Sequence, residues 1–193
     1  MKRILVICFI ALFAVSLFGF SGQDGKFALN GKVTGLKMKD LNGKDFDIEK
    51  VLANDDVKGV MFVFLSYKCP NSVSRNDRFI KHAADFKKKG VLFIGIDSNV
   101  ATENAAGMKA YAEEKNFNFP IFWDDGNVIA DRFDAKTTPH AFFVDKKSVL
   151  RYKGRIDDNP KDPAGVKDAT IANVVDEYLA GKELSVTETR PDG

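Results

Sequence analysis

The sequence predicts an α/β fold, in which a central mixed sheet carries helices on both faces and is preceded by an N-terminal hairpin. The first observation is a pair of continuous apolar runs, at 60–65 and 91–96, which are typical of strands covered on both faces. The second is that a segment with helical periodicity follows each run. The third is a proline-preceded strand with a hairpin partner and a last helix. Short, right-handed connections then place helices on both sides of one sheet.

A small hairpin is predicted ahead of this sheet. Asn42 and Gly43 separate two short runs of modest alternation, and an Asn-Gly pair between such runs is a strong hairpin signal. Residues 48–52 then have the length of a single helical turn. A polar break at 54–56 leads into the first apolar run.

The central part of the chain predicts alternating helices and strands. A helix is expected from Cys69 to about Lys89, because its apolar residues fall on one face and Gly90 is a suitable stop. The strand at 91–96 follows. A second helix is predicted at 103–115, with its apolar residues directed inward.

The last third of the chain predicts the rest of the sheet. An aromatic segment at 117–123 suits a short strand, and 128–133 suits a short helix. Strands at 140–144 and 149–153 are separated by a tight turn and should pair antiparallel. Residues 171–179 show the clearest amphipathic helical pattern in the chain.

Length and composition favour one domain. The chain has 193 residues, of which 45% are hydrophobic and 17 are Phe, so there is enough apolar surface for a core. We predict the domain at 22–181 and a mobile tail at 182–193, where apolar residues are few. The net charge is +2 and no basic stripe carries interleaved aromatic residues, so no nucleic-acid partner is expected.

Residues 1–21 predict a cleavable secretory signal peptide. Lys2 and Arg3 precede an apolar run at 4–20 that ends in small residues. The protein is therefore expected to be exported, to the periplasm or another extracytoplasmic space, with no stable membrane association after cleavage. An uncleaved N-terminal anchor is the alternative, because the run is close to the shortest that spans a bilayer.

Cys69 is the candidate nucleophile. It lies where the apolar run at 60–65 gives way to a helix, so its thiol faces unpaired N–H groups and the positive end of the helix dipole, both of which favour the thiolate. The other cysteine, Cys8, lies in the signal segment. After cleavage, the oxidised forms of Cys69 would be intermolecular disulfides, mixed disulfides or a sulfenic acid. The alternative is a cysteine buried as a small hydrophobic residue.

Five charged or titratable side chains bear on the reactivity of this thiol or could be mistaken for doing so. Lys68, Arg75 and Arg78 would favour a reactive thiol if they lie near it, and the two arginines are otherwise solvated helix residues. His140 could reach the thiol as a base or ion-pair partner, or be a strand-start residue satisfied by the sheet or by solvent. His82, in a Lys-rich helix, is expected at the surface.

The order of elements, together with the sequence FLSYKC at 64–69 and Thr138-Pro139, resembles the thioredoxin fold over 35–180. In that fold the cysteine at the start of a helix faces a cis-proline loop. The resemblance therefore implies a cis bond between Thr138 and Pro139, and a position for this loop opposite Cys69.

Two further segments narrow the resemblance. TTPHAFFVD at 137–145 and RYKGRIDDN at 151–159 resemble the peroxiredoxin-like redoxins, which are exported bacterial proteins grouped with the alkyl hydroperoxide reductase and thiol-specific antioxidant (AhpC/TSA) family. The resemblance implies thiol-based redox chemistry, either as an oxidoreductase or as an antioxidant peroxidase, and no cofactor.

The sequence departs from both relevant active-site patterns. Peroxidatic members place Pro-x-x-x-Thr-x-x-Cys around the thiol and activate it with an arginine. Here Ser66 stands for the threonine, Phe62 occupies the proline position, and no arginine matches. Cys69 instead resembles the first cysteine of a Cys-x-x-Cys pair whose second position is Ser72, so a mixed disulfide has no internal thiol to release it.

No metal is expected. Metal-binding relatives of this fold carry a second cysteine where Val73 stands, and the pair Asp157-Asp158 is more typical of a cap or a turn than of a cation site.

The leading functional prediction is a thiol-based oxidoreductase in which the Cys69 thiolate attacks a disulfide or an oxidised sulfur substrate and an external thiol resolves the intermediate. Ser66, Ser72 and the Thr138-Pro139 loop would shape the pocket. The expected partner is a thiol or disulfide protein or a small thiol. The alternatives are a peroxidase that uses Cys69 and a non-catalytic binding module that presents the proline loop.

Overall fold

The computed structural model describes residues 25–191, so the predicted signal peptide lies outside the described residues. Five strands form the main sheet: β3 (Gly59–Phe64), β4 (Val91–Asp97), β5 (Ile121–Trp123), β6 (His140–Asp145) and β7 (Leu150–Gly154). Their spatial order is β5-β4-β3-β6-β7. Within the described part of the chain, no helix has the length and apolar character needed to cross a bilayer.

The central strand β3 joins the parallel and antiparallel halves of the sheet. It pairs parallel with β4, which pairs parallel with β5, and it pairs antiparallel with β6 on its other side. β6 and β7 then form the predicted antiparallel pair. All six residues of β3 are buried, as expected for a strand covered on both faces.

The predicted N-terminal hairpin is confirmed. Strands β1 (Lys37–Lys39) and β2 (Asp45–Asp47) pair antiparallel, and helix α1 (Ile48–Ala53) follows directly. Gly43 adopts a φ of 82°, which a residue without a Cβ reaches at little cost. The Asp40 carboxylate accepts hydrogen bonds from the Asn42 and Lys44 amides at 2.9 and 2.8 Å, which closes the turn.

Helices cover both faces of the sheet. They are α2 (Pro70–Val73), α3 (Asn76–Lys88), α4 (Ala105–Glu114), α5 (Val128–Phe133) and α6 (Thr170–Leu179), besides α1. Helices α3, α4 and α6 bury apolar side chains in one core cluster, and α1 and α5 do so in the other. The side chains of β3 alternate between the two clusters, with Met61 and Val63 in the first and Phe62 and Phe64 in the second.

The predicted single helix from Cys69 to Lys89 is wrong, because the structure divides it. The short α2 ends at Val73, and Arg75 has a φ of −109° and a ψ of 5° at the N-cap of α3. The Arg75 side chain is fully buried, so the chain bends where this guanidinium enters the interior. Cys69 therefore begins a four-residue helix, and the long-helix dipole expected to favour its thiolate is absent from this part of the structure.

The prediction of a mobile tail does not fit residues 187–189, which lie along the edge strand β7. Lys153 donates its amide to the Thr187 carbonyl and accepts from the Thr189 amide, both at 3.1 Å. The Thr189 hydroxyl contacts the Tyr152 hydroxyl at 2.7 Å and accepts from the Arg155 amide at 2.9 Å. Low apolar content was a poor guide here, because backbone and hydroxyl hydrogen bonds hold this segment.

Candidate active site

Cys69 lies at the carboxyl end of β3, where the chain turns into α2. It is the N-cap residue of that helix, in extended conformation, and Pro70 follows at the first helical position. Proline suits that position because its missing N–H would have no partner inside the helix. Cys69 is a free cysteine and, as a residue, is half-buried.

Ser66 and Ser72, both predicted site residues, hold the loop that carries the thiol. The Ser66 hydroxyl oxygen accepts the Cys69 amide at 2.9 Å and the Lys68 amide at 3.1 Å. The Ser66 amide in turn donates to the Ser72 hydroxyl oxygen at 3.1 Å. Both serines are buried. Their contacts therefore set the shape of the loop from within.

The thiol faces the predicted proline loop. Cys69 Sγ donates a hydrogen bond to the Thr138 carbonyl oxygen at 3.0 Å, although the two residues lie 69 positions apart in the sequence. The Thr138–Pro139 peptide bond is cis. The fold thus brings together the thiol and the loop that the sequence singled out separately.

A groove of about 310 Å³ lies beside this contact. Phe64 and several alanine and threonine side chains supply apolar surface, and amide, hydroxyl and ammonium groups supply polar surface. The lining residues are Phe64, Ser98, Asn99, Asn127, Ala130, Ala135, Lys136, Thr137 and Thr138. The groove includes Thr138, whose carbonyl oxygen faces the thiol. The mixed lining of the groove suits part of a peptide or a small polar thiol.

His140 is a buried strand residue and makes no described hydrogen bond to Cys69. It lies opposite Phe64 in the sheet, and its ring centroid is 4.3 Å from that of Phe142. Its Nδ1 accepts the Lys136 amide at 3.3 Å. Burial lowers the pKa of His140 to about 4, so the imidazole is neutral near pH 7 and cannot form an ion pair with a thiolate.

This burial predicts a loss of stability in acid. The pKa of His140 falls from 6.5 to about 4 on folding, so its neutral form stabilises the protein above pH 6.5, and that stabilisation is lost as the pH falls toward 4. At about 1.4 kcal/mol per pH unit, the loss attributable to His140 is about 3 kcal/mol. We expect His140→Asn, which keeps an acceptor for the Lys136 amide but does not titrate, to show a shallower fall in the free energy of unfolding.

Denaturant titrations of both proteins between pH 7 and 4 measure this difference. Asp97, whose pKa is raised on folding, acts in the opposite direction over this range, but it does so equally in the two proteins and cancels. An identical pH dependence of the two proteins would contradict the assignment.

The three cationic side chains that would favour a reactive thiol if they lay near it bind other groups. The Lys68 ammonium donates to the Thr102 carbonyl. Arg75 and Arg78 converge on the Asp157 carboxylate, with nitrogen–oxygen distances of 3.4 and 2.6 Å. Arg75 is fully buried, so the prediction of a solvated helix residue is wrong for it. The two arginines are structural partners of Asp157, for which the sequence had favoured a cap or a turn over a cation site.

The prediction of a surface position for His82 is also wrong. Its ring lies 5.5 Å from the Phe86 ring, and the side chain is partly buried. Burial lowers its pKa to about 4. Histidine is amphipathic enough to pack its ring against a core aromatic residue even where lysines surround it in the sequence.

Sequence reasoning missed two acidic residues, Asp97 and Glu103. Asp97 ends β4 and is fully buried, and Glu103 precedes α4 and is 6% exposed. The Glu103 carboxylate accepts hydrogen bonds from the Ser66 hydroxyl and from the amides of Tyr67 and Lys68. A usable signal existed, because the carboxyl ends of the parallel strands β3 and β4 meet at one edge of the sheet.

The described residues contain no group of three His, Cys, Asp or Glu side chains arranged to hold a metal ion.

Comparison with known proteins agrees with this geometry. The family model described as AhpC/TSA family matches residues 30–153. The thiol-disulfide oxidoreductase ResA of a Bacillus cereus strain is 23% identical over 128 residues, which are 66% of this chain and 70% of the relative.

Two solved structures resemble the fold. A hypothetical protein from Sinorhizobium meliloti 1021 superposes with a TM-score of 0.75 and 26% identity, over 88% of this chain and 93% of that one. A thiol:disulfide interchange protein of the thioredoxin family from Chlorobium tepidum TLS superposes with a TM-score of 0.55 and 17% identity, over 65% and 86% of the two chains. The predicted thioredoxin-like fold is confirmed.

Proposed function

Because the chain belongs to the AhpC/TSA family, we propose that it is an exported thiol-disulfide oxidoreductase in which the Cys69 thiolate attacks a disulfide or an oxidised sulfur substrate. An external thiol then releases the product. Likeness to ResA, a thiol-disulfide oxidoreductase, supports the exchange reaction. The predicted signal peptide at 1–21 supports export. Disulfides persist in the extracytoplasmic compartments to which exported proteins go.

One observation carries the proposal. The Sγ of the half-buried Cys69 lies 3.0 Å from the carbonyl oxygen of Thr138, and Thr138 also lines the groove. A substrate sulfur that approaches this thiol meets the backbone of the 137–139 loop. A buried structural cysteine would need neither the opening nor the groove.

The reaction is a thiol-disulfide exchange in two steps. The Cys69 thiol gives its proton to solvent, and the thiolate attacks one sulfur of the substrate disulfide, forming a mixed disulfide while the other sulfur leaves as a thiolate. An external thiolate then attacks the substrate sulfur of the mixed disulfide. Cys69 leaves as the thiolate, and the substrate carries a new disulfide bond.

The external thiol is required because the residue three positions after Cys69 is Ser72. Its hydroxyl is buried and accepts the Ser66 amide. An alcohol oxygen does not take part in disulfide exchange, so the mixed disulfide waits for a partner from solution. The partner class is a thiol or disulfide protein or a small thiol.

The proposal predicts that Cys69→Ser abolishes turnover. With hydroxyethyl disulfide as substrate and glutathione as the external thiol, we expect the variant to show only the uncatalysed exchange rate, because oxygen cannot form the mixed disulfide. Val73→Ala, a change at an exposed position on the same short helix, is the matched control and should retain the wild-type rate. Equal turnover by Cys69→Ser and the wild type would reject the proposal.

The same variants separate the other two candidate functions. A peroxidase would consume hydrogen peroxide in a Cys69-dependent manner while leaving hydroxyethyl disulfide untouched. A binding module would show no turnover in the wild type, and partner binding that is insensitive to Cys69→Ser. Either result would replace the exchange mechanism.

A further inference from the structure

Glu103 is the hub of the hydrogen bonds behind the thiol loop. Its Oε1 accepts from the Ser66 hydroxyl and, at 3.0 Å, from the Lys68 amide, and its Oε2 accepts from the Tyr67 amide at 3.3 Å. The Ser66 hydroxyl uses its one proton in this contact and accepts the Cys69 amide on its oxygen. A continuous path therefore runs from the Glu103 carboxylate through one hydroxyl to the backbone of Cys69.

Every group that faces Glu103 in this path is a donor. An ionised carboxylate is an acceptor only, so it satisfies all three donors, whereas a protonated carboxyl would present its own hydrogen to one of them. Burial of a lone carboxylate is unfavourable, and these charge-assisted hydrogen bonds offset part of that cost.

Asp97 is the second carboxyl of this cluster and is suited to hold a proton. It is fully buried at the end of β4. Its Oδ1 accepts the amide and the side-chain nitrogen of Asn99 at 2.9 and 3.0 Å, whereas its buried Oδ2 has no donor partner. Burial, followed by a hydrogen bond with the Glu103 side chain, raises the pKa of Asp97 to about 7. Asp97 therefore holds a proton in weakly acidic solution.

The other charged groups around this pair are already committed. The Lys68 ammonium donates a hydrogen bond to the Thr102 carbonyl oxygen. The Asp124 carboxylate, which directly follows β5, accepts from the Ser98 hydroxyl and from the amides of Ile129 and Ala130. The remaining titratable groups on the thiol loop are Tyr67 and Cys69. Among the ion pairs given for the described residues, none involves Asp97 or Glu103.

We propose that Glu103 is a positioning residue for Cys69, acting through Ser66, and that the neighbouring buried Asp97, whose side chain hydrogen-bonds to that of Glu103, makes this positioning sensitive to pH. When Asp97 loses its proton, two carboxylates repel each other in the interior. The hydrogen bonds from the thiol loop to Glu103 then weaken. For its role in turnover the inference rests on the proposed function, but the loop geometry can be tested without any substrate.

The test measures hydrogen-exchange protection of the Lys68 and Cys69 amides by NMR, with the rate of Cys69 alkylation by iodoacetamide as a second readout, between pH 5.5 and 8.5. We expect Glu103→Gln to lower the protection of both amides about tenfold, since an amide offers one oxygen where three donors need acceptors. Ser66→Ala should have the same effect on Cys69, and Ser66→Thr, which keeps the hydroxyl, should restore it. Glu113→Gln, an exposed change with the same charge difference, is the matched control.

Asp97→Asn separates positioning from a general loss of structure. Its amide donates to Glu103 at every pH, so the decline in protection that the wild type shows as the pH rises through about 7 should disappear, with protection staying at the low-pH level. A residue that merely supports the fold would not remove a pH step while keeping the protection.

Wild-type protection in both Glu103→Gln and Ser66→Ala, or a pH step that persists in Asp97→Asn, would overturn the inference. If Glu103→Gln does not fold, the comparison of Ser66→Ala with Ser66→Thr decides the positioning role. A protein without Cys69-dependent turnover but with these protection changes would reject the proposed function and leave the inference standing. Cys69-dependent turnover with unchanged protection would support the proposed function and overturn the inference about Glu103.

Discussion

Replacing Asp157 with alanine is expected to lower the free energy of unfolding by about 3–5 kcal/mol, the range for a broken buried ion pair. Asp157 is 2% exposed and binds Arg75 and Arg78, which are 0% and 12% exposed. Without its carboxylate, the Arg75 and Arg78 guanidinium groups would both lose the counter-charge that they share in the interior. The change should appear as a lower midpoint in urea-induced unfolding.

The neighbouring Asp158 provides the matched control. It is exposed, and its carboxylate accepts the Lys167 amide at 2.9 Å without contacting an arginine. Asp158→Ala should therefore lower the midpoint much less. Similar midpoints for the two variants would show that the arginines find other partners and that the ion pairs add little.

The Asp157 cluster also connects stability to the site. Arg75 donates to the Asn71 carbonyl at 3.1 Å, and Arg78 donates to the Pro160 carbonyl at 2.9 Å. The Ser74 hydroxyl donates to the same Pro160 carbonyl at 2.9 Å. The segment after β7 is thereby fastened to the short helix that begins at Cys69. Loss of Asp157 should also alter the reactivity of the thiol.

Replacing Ser72 with cysteine is expected to give the protein an internal resolving thiol. The Ser72 amide donates to the Cys69 carbonyl at 3.0 Å, so the two residues lie on one turn, in the spacing of a Cys-x-x-Cys pair. An intramolecular thiol acts at an effective concentration of millimolar or more. With external thiol in the micromolar range, release of a mixed disulfide should therefore be faster by roughly 10²–10³-fold.

A chromogenic mixed disulfide measures this release. Cys69 is first converted to its mixed disulfide with thionitrobenzoate, and excess reagent is removed. We expect wild-type protein to hold the label until a thiol is added, and Ser72→Cys to expel thionitrobenzoate by itself while Cys69 forms a disulfide with the introduced thiol. Ser74→Cys, which adds a thiol at an exposed position with the wrong spacing, is the control. Retention of the label in Ser72→Cys would show that the two sulfurs cannot approach.

Much of the fold could be predicted because its signals are local. The buried runs that became β3 and β4, the Asn42-Gly43 turn and the amphipathic pattern of α6 each depend on residues close together in the sequence. The prediction of one long helix after Cys69 was wrong because of a contact with a distant part of the sequence. Its periodicity was adequate, but the partner that draws Arg75 into the interior is Asp157, 82 positions away.

The residues of the candidate site also differ in how far the sequence alone could assign their roles. Cys69 and the Thr138-Pro139 loop could be selected from their residue types and their places beside strands, and their contact at 3.0 Å agrees with that selection. His140 was also a candidate in the sequence, with a satisfied strand-start residue as the alternative, and in the structure burial keeps it neutral while its Nδ1 accepts the Lys136 amide. Burial and hydrogen-bond partners depend on elements that meet only in the folded chain.

The sequence by itself determined that the protein is an α/β domain with one candidate thiol, Cys69, and no thiol at position 72, because strand runs, helix periodicity and residue identity are properties of the chain. Only the tertiary structure decided what surrounds that thiol. Glu103 and Asp97 reach the loop because β3 and β4 are parallel neighbours, and Arg75 and Arg78 turn to Asp157 because the segment after β7 returns beside α3. Charges act over distances in space, so their role follows from which strands become neighbours.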